Sequence, residues 1–237
     1  MDAPHEAHVA ALVGLGGVTA PQVAQSTDAR LRVVERISLA GIIVGATVAE
    51  LDCESERARQ AADYLARGQA GGVQGLTVGS IAAATLTGIA GVFLSTKGAS
   101  ALAQDTTAVS GGAVAAGLSF ASLYVHAQAT YDHQRNLLAD VWLGPAVSAT
   151  YPELVWAYLN RPAFSNTRTQ AIRRRIIERW KQFHQVEDAA TAAVLFGSGG
   201  AYDVDALRLR GAMLDEVKAE VELTRQDLAA LAASLLR

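Results

Sequence analysis

"GQAGGVQGLTVGSIAAATLTGIAGVFLSTKGASALAQDTTAVSGGAVAAGLSFASLYV", residues 68–125, carries only Lys97 and Asp105 as charged groups. The rest is glycine, alanine, small hydroxyl residues and aliphatics. Such a run reads as a helical hairpin that enters a bilayer or as the close-packed centre of a helical bundle. The first arm, 74–96, has no charge at all, and about twenty apolar residues suffice to cross a hydrocarbon core. The second, 108–125, is slightly shorter. Ser80, Ala84 and Gly88 recur at four-residue spacing, and Ala113, Gly117 and Ala121 repeat the device. Faces without ridges let helices approach closely. Gly75, Gly79, Gly91 and the interspersed Thr and Ser residues each displace a Leu or Ile and weaken the drive to insert. Paired or oligomeric insertion therefore suits the arms better than a lone anchor.

Working outward, Gly71-Gly72 are expected to break the helical pattern ahead of the hairpin. Upstream, Ser26 or Thr27 can cap a long helix over 27–67, which contains no proline. Its bare segment "ISLAGIIVGATVA" (37–49) is too short to span a bilayer and reads as a buried core helix. Gly41 and Gly45 there lie four apart and leave a groove for another helix. The expected helix-packing and assembly positions are thus Gly41, Gly45, Gly75, Gly79, Ala84, Gly88, Gly91, Ala113, Gly117 and Ala121. Residues 1–26 read as an N-terminal segment with a short helix and a linker, and 27–237 as one helical domain.

Downstream, 126–143 reads as a polar continuation of the second arm as far as Gly144-Pro145. Pro152 suits the first turn of a short helix that ends at Arg161-Pro162. Another helix begins near a Ser165 or Thr167 cap and contains "RRRIIERWKQF" (173–183). There Arg173, Arg174, Arg175, Arg179 and Lys181 surround Ile176, Ile177, Trp180 and Phe183, a basic amphipathic helix able to meet anionic lipid or an acidic partner. "FGSGG" (196–200) reads as a turn. After Asp203, Leu207, Leu214, Val217, Val221, Leu228, Leu231 and Leu235 follow a coiled-coil-like seam with Thr224 at one position. No convincing strand pattern is visible. The expected fold is all-α: an elongated bundle of long antiparallel helices with a central Gly/Ala-rich apolar hairpin and a coiled-coil-like C-terminal helix at 203–236.

Composition narrows the function. The 237-residue chain is 51% hydrophobic and only 18% charged, against about 25% charged in an average soluble domain. A net charge of −3 does not suit a nucleic-acid partner, since such domains are usually basic. The single Cys53 excludes an internal disulfide and a cysteine zinc cluster; flanked by Asp52, Glu54 and Glu56, it reads as a packed rather than a reactive thiol. "GLGG" (14–17) lacks the third glycine of a dinucleotide loop, and the lysine of "STKG" has no glycine-rich loop before it. Ser198 in "FGSGG" is not at nucleophile-elbow spacing. His126 and His133 are seven apart, about 10 Å of rise on one helix, too far to chelate one ion directly. Glu50, Asp52, Glu54 and Glu56 fall on two helix faces and read as a solvated charged surface. No metal, cofactor or catalytic set is expected. An enzyme would need His126, His133 or Glu153 to converge with other polar groups in a cleft.

Acidic residues precede the apolar run 9–18, which argues against a secretory leader, though a mature exported form is compatible with the sequence. The expected protein is non-enzymatic and membrane-associated or membrane-inserting. It is expected to self-assemble as a homo-oligomer through the small-residue hairpin, with pore formation as one outcome. The alternative is a soluble helical scaffold, cytoplasmic or otherwise, that holds a protein partner through its seam. Long charged helices flanking an apolar hairpin resemble the layout of α-helical pore-forming toxins of the cytolysin A type, in arrangement alone.

Overall fold

The computed structural model describes residues 2–96, 128–133 and 135–236, with side chains described for all of these except 69–96. It is mostly helical. Helices α1 (Ala3–Leu12) and α2 (Ala20–Gln25) precede the long α3 (Thr27–Thr96). Strand β1 (Ala129–Asp132) follows, then α4 (Leu137–Leu143), α5 (Glu153–Asn160), a single 3-10 turn (Pro162–Phe164), α6 (Ile172–Gln182) and α7 (Ala189–Phe196). Strand β2 (Gly199–Tyr202) pairs with β1, and α8 (Val204–Leu235) closes the chain. The chain divides into two compact units: Met1–Gln60 with Thr130–Arg237, and Ala61–Ala129.

Local chemistry sets most helix starts. The Asp2 carboxylate accepts from the His5 amide, Ser26 Oγ from the Ala29 amide, Asn136 from Leu138, Asp188 from Thr191 and Asp203 from Ala206. Each satisfies an N–H that the first turn leaves open. Thr19 and Gln22 form a capping box at α2. The break expected at Gly71-Gly72 is absent, because α3 is one helix throughout its range. A glycine inside a helix costs only about 1 kcal/mol relative to alanine.

The core of the first unit is built on α8. Leu207, Leu214, Val217, Val221, Thr224, Leu228, Leu231 and Leu235 are all buried, with α1, α2, α4, α5, α6 and β2 packed on that helix. The seam residues are thus covered by the chain itself. Helix α3 meets α8 at Gly211, where an added Cβ would lie 3.3 Å from the Ser55 carbonyl oxygen. Ser55 Oγ donates to Asp215 at 2.8 Å, Arg59 pairs with Asp215, and Lys218 bridges to Asp52 at 2.6 Å.

Three expectations change here. Residues 126–143 are not a helix continuation: 129–132 form β1 and the helix starts only at Leu137. The two four-residue strands are too short to show alternation in sequence, and Gly199, expected in a turn, lies in β2. Its φ is +109°, and an added Cβ would collide with the Tyr131 carbonyl. Helix α6 begins at Ile172, not near Ser165 or Thr167. The Ser165, Thr167 and Thr169 hydroxyls bond one another, and Ser165 Oγ takes the Thr167 amide. Such local bonds compete with helix.

The segment 37–49 is buried on one face only. Ala40, Val44 and Thr47 are buried, while Leu39 and Ile42 are exposed. Gly45 faces the Arg225 guanidinium at 3.0 Å from a would-be Cβ; at Gly41, among the described residues, nothing lies within 4 Å. Among the described residues Gly41 thus has no helix packed on it. Gly75, Gly79, Ala84, Gly88 and Gly91 lie on the described backbone of α3 but outside the described side chains. Ala113, Gly117 and Ala121, and so the hairpin's second arm, lie outside the described residues altogether. Among the residues whose side chains are described, which leave out 69–96, no helix is long and apolar enough to cross a membrane.

Candidate functional site

The basic helix α6 divides its charges between two sides. Trp180 is fully buried and donates from Nε1 to Glu216 at 2.7 Å. Arg179 pairs with Glu216 and, at 2.7 Å, with Glu220; Arg175 reaches the same Glu220 oxygen at 3.3 Å. Glu220 is itself buried. The acidic partner expected for Arg175 and Arg179 is therefore α8 of the same chain. Arg173 is half-buried and donates to the Asn160 side chain at 2.8 Å and the Val141 carbonyl at 2.9 Å. Its guanidinium lies against Gly144, whose φ of +66° ends α4. Arg174 and Lys181 face outward. Neither forms an ion pair among the described residues, and the Lys181 ammonium sits 5.5 Å over the Trp142 ring.

Beside α6, the loop 144–150 is organised by one carboxylate. Asp140 Oδ2 accepts from Ser148 Oγ (2.5 Å), the Ala149 amide (2.9 Å), the Thr150 amide (3.1 Å) and Thr150 Oγ1 (2.9 Å). Burial alone would raise its pKa. The four donors outweigh burial and hold it below the ordinary value. An open hollow of about 750 Å³ lies next to this loop, lined by Pro145, Val147, Tyr151, Glu153, Trp156 and Arg161 among others. Glu153 does border a cleft, but Tyr151 and Trp156 there are committed to the Leu137 and Pro145 carbonyls.

Two histidine clusters test for chemistry. His5 sets Nε2 3.0 Å from Asp227, which also accepts from the Tyr158 hydroxyl, and Nδ1 3.3 Å from the Ala163 carbonyl. His133 sets Nδ1 3.0 Å from the Gly197 carbonyl and Nε2 3.0 Å from the Tyr202 hydroxyl. In both, each ring nitrogen already has a protein partner, so neither ring offers a base to an incoming substrate. His133, Tyr131 and Tyr202 stack edge to face around the fully buried Arg210 region. Arg210 Nη1 donates to Asn136 Oδ1 and the Leu195 carbonyl, while its Nε, its Nη2 and the Tyr131 hydroxyl find no partner among the described residues. Burial lowers the Arg210 pKa and pushes Tyr202 up to about 12. His126 lies outside the described residues. No sequence signal marked Arg210, which stands two residues after Arg208 in an amphipathic helix.

Among the described residues no group of His, Cys, Asp and Glu is arranged to hold a metal ion. Glu50, Asp52 and Glu54 each pair with a different cation, Arg135, Lys218 and Arg57, and Glu56 accepts from Gln60. Cys53 is exposed. No family model, curated protein or solved structure matches the chain.

Proposed function

We propose that this protein is a membrane-associating helical protein that self-assembles through residues 68–125, with its folded first unit remaining in water. The observation that carries the reading is the charge-free run from Gly68 to Thr96, set on a helix that continues without interruption from Thr27. Twenty-odd helical residues rise roughly 30 Å, the thickness of a hydrocarbon core. Small residues at four-residue spacing supply the close contact that lipid-exposed helices use in place of a hydrophobic drive. A second support for assembly is the exposed apolar stripe Leu31, Val34, Leu39 and Ile42 on α3, with open space over Gly41. Pore formation is the functional outcome that an assembled hairpin of this kind would have.

The scaffold alternative has less to stand on, because the seam it would use is filled by the chain's own helices. The test is Gly88→Leu combined with Gly117→Leu. The reading expects weaker oligomers by analytical ultracentrifugation and reduced partition into vesicles. Unchanged assembly and partition would refute it.

A further inference from the structure

We propose that the 143–147 loop together with Arg174 and Lys181 is a second, separate contact of this protein with an anionic bilayer surface. It shares with the hairpin reading only the bilayer as partner, and the experiment below separates the two.

Leu143 is 72% exposed, Val147 84% and Phe183 66%. A solvated apolar side chain alone needs no explanation. Here, however, the loop that presents Val147 is held in one conformation by the four hydrogen bonds to Asp140. Those bonds offset the entropy of ordering the loop and fix an aliphatic side chain where it meets water. The cations give the chemistry of that partner. A second hollow, of about 300 Å³, is lined by Trp142, Leu143, Arg173, Arg174, Ile177 and Lys181, with Glu178 as its one carboxylate. Glu178 already accepts a hydrogen bond from Gln170. Positive charge therefore exceeds negative beside the exposed leucine.

Exposed Leu143 and Val147, with Arg174, Lys181 and the half-buried Trp142 lining the hollow beside Leu143, suit the mixed polarity of a bilayer interface. The aliphatic tips enter the acyl boundary, Trp142 lies at headgroup level, and Arg174 and Lys181 meet lipid phosphate or carboxylate.

The test uses the full chain in a Cys53→Ser background, with an environment-sensitive dye on Val147→Cys or, separately, on Leu86→Cys, a first-arm position off the Ser80, Ala84 and Gly88 spacing. Vesicles are phosphatidylcholine alone or with phosphatidylserine. The proposal expects a blue shift at position 147 only with phosphatidylserine. Arg174→Gln with Lys181→Gln should weaken that response on the order of 30-fold, since each juxtamembrane cation contributes roughly 1 kcal/mol. Both side chains are outward-facing, so circular dichroism should be unchanged. A shift at 86 without one at 147 overturns this proposal and leaves the hairpin reading standing. A shift at 147 without one at 86 does the reverse. No shift at either position refutes both. A shift at 147 that ignores lipid charge and both substitutions overturns the anionic surface as partner.

Discussion

At His133, two hydrogen-bond demands compete for one proton. The Gly197 carbonyl can only accept, so Nδ1 carries a hydrogen and Nε2 of the neutral ring is an acceptor. The Tyr202 hydroxyl has a single proton and two acceptors within 3.0 Å, His133 Nε2 and the Val194 carbonyl. Protonating the ring would satisfy both, with Nε2 donating to Tyr202 and Tyr202 donating to Val194. Burial opposes that, and the Arg210 cation adds to the opposition. Together they hold the His133 pKa below its ordinary value despite the Gly197 carbonyl, Glu54 and Asp132. The sign for stability follows from proton counting. Below the unfolded pKa of about 6.5, the unfolded chain binds a proton that the folded chain resists. His133 thus contributes stability that is complete above that value and declines as pH falls through the window below it. Urea midpoints should drop between about pH 7 and about pH 5, and His133→Gln should flatten the decline. An unchanged slope in the variant would assign the pH dependence elsewhere. In sequence His133 was one of a helical pair with His126; the strand that turns it toward Gly197 is too short to register as a pattern.

The pairing of α6 with α8 shows what sequence can and cannot say about an element. Amphipathicity placed a helix over 173–183, and the isoleucine and tryptophan stripe identified its buried side. Nothing local could distinguish arginines that face lipid from arginines that face another helix. The deciding residues, Glu216 and Glu220, lie about forty positions away on α8 and read there as ordinary polar positions of a seam. The start of α8 was legible because Asp203 is a strong cap. The start of α6 was not, because Ser165 and Thr167 both read as caps, and their hydroxyls instead bond each other and, through Thr167, Thr169. Removing the shared carboxylate by Glu220→Ala should destabilise the first unit by about 2 kcal/mol, less than the roughly 3–5 kcal/mol for a fully buried pair because both guanidiniums keep some water. Arg174→Gln on the outer side should stay within about 0.5 kcal/mol. Equal denaturation midpoints for the two variants would remove α8 as the partner of the basic helix.

For the whole molecule, the described architecture is a helical unit with its own core, together with a second unit dominated in sequence by glycine, alanine and uncharged residues. The all-helical class was readable from the scarcity of proline, the long proline-free stretches and the caps. The covered seam was not readable, because a heptad pattern looks the same whether a partner chain or the chain's own short helices fill it. Likewise, Gly211, the glycine that brings α3 against α8, stands alone in its helix with no repeat to flag it, whereas of the repeated Gly41 and Gly45 only Gly45 has a close neighbour among the described residues. Small residues at fixed spacing mark a face able to pack closely, and they do not name what packs there. The central claim is that residues 68–125 take this chain into lipid, and the most direct measurement is flotation of the purified full chain with liposomes followed by alkaline extraction. The account predicts that the chain rises with the vesicles and stays in the lipid fraction after extraction. A chain that remains at the bottom of the gradient with neutral and anionic vesicles alike would contradict it.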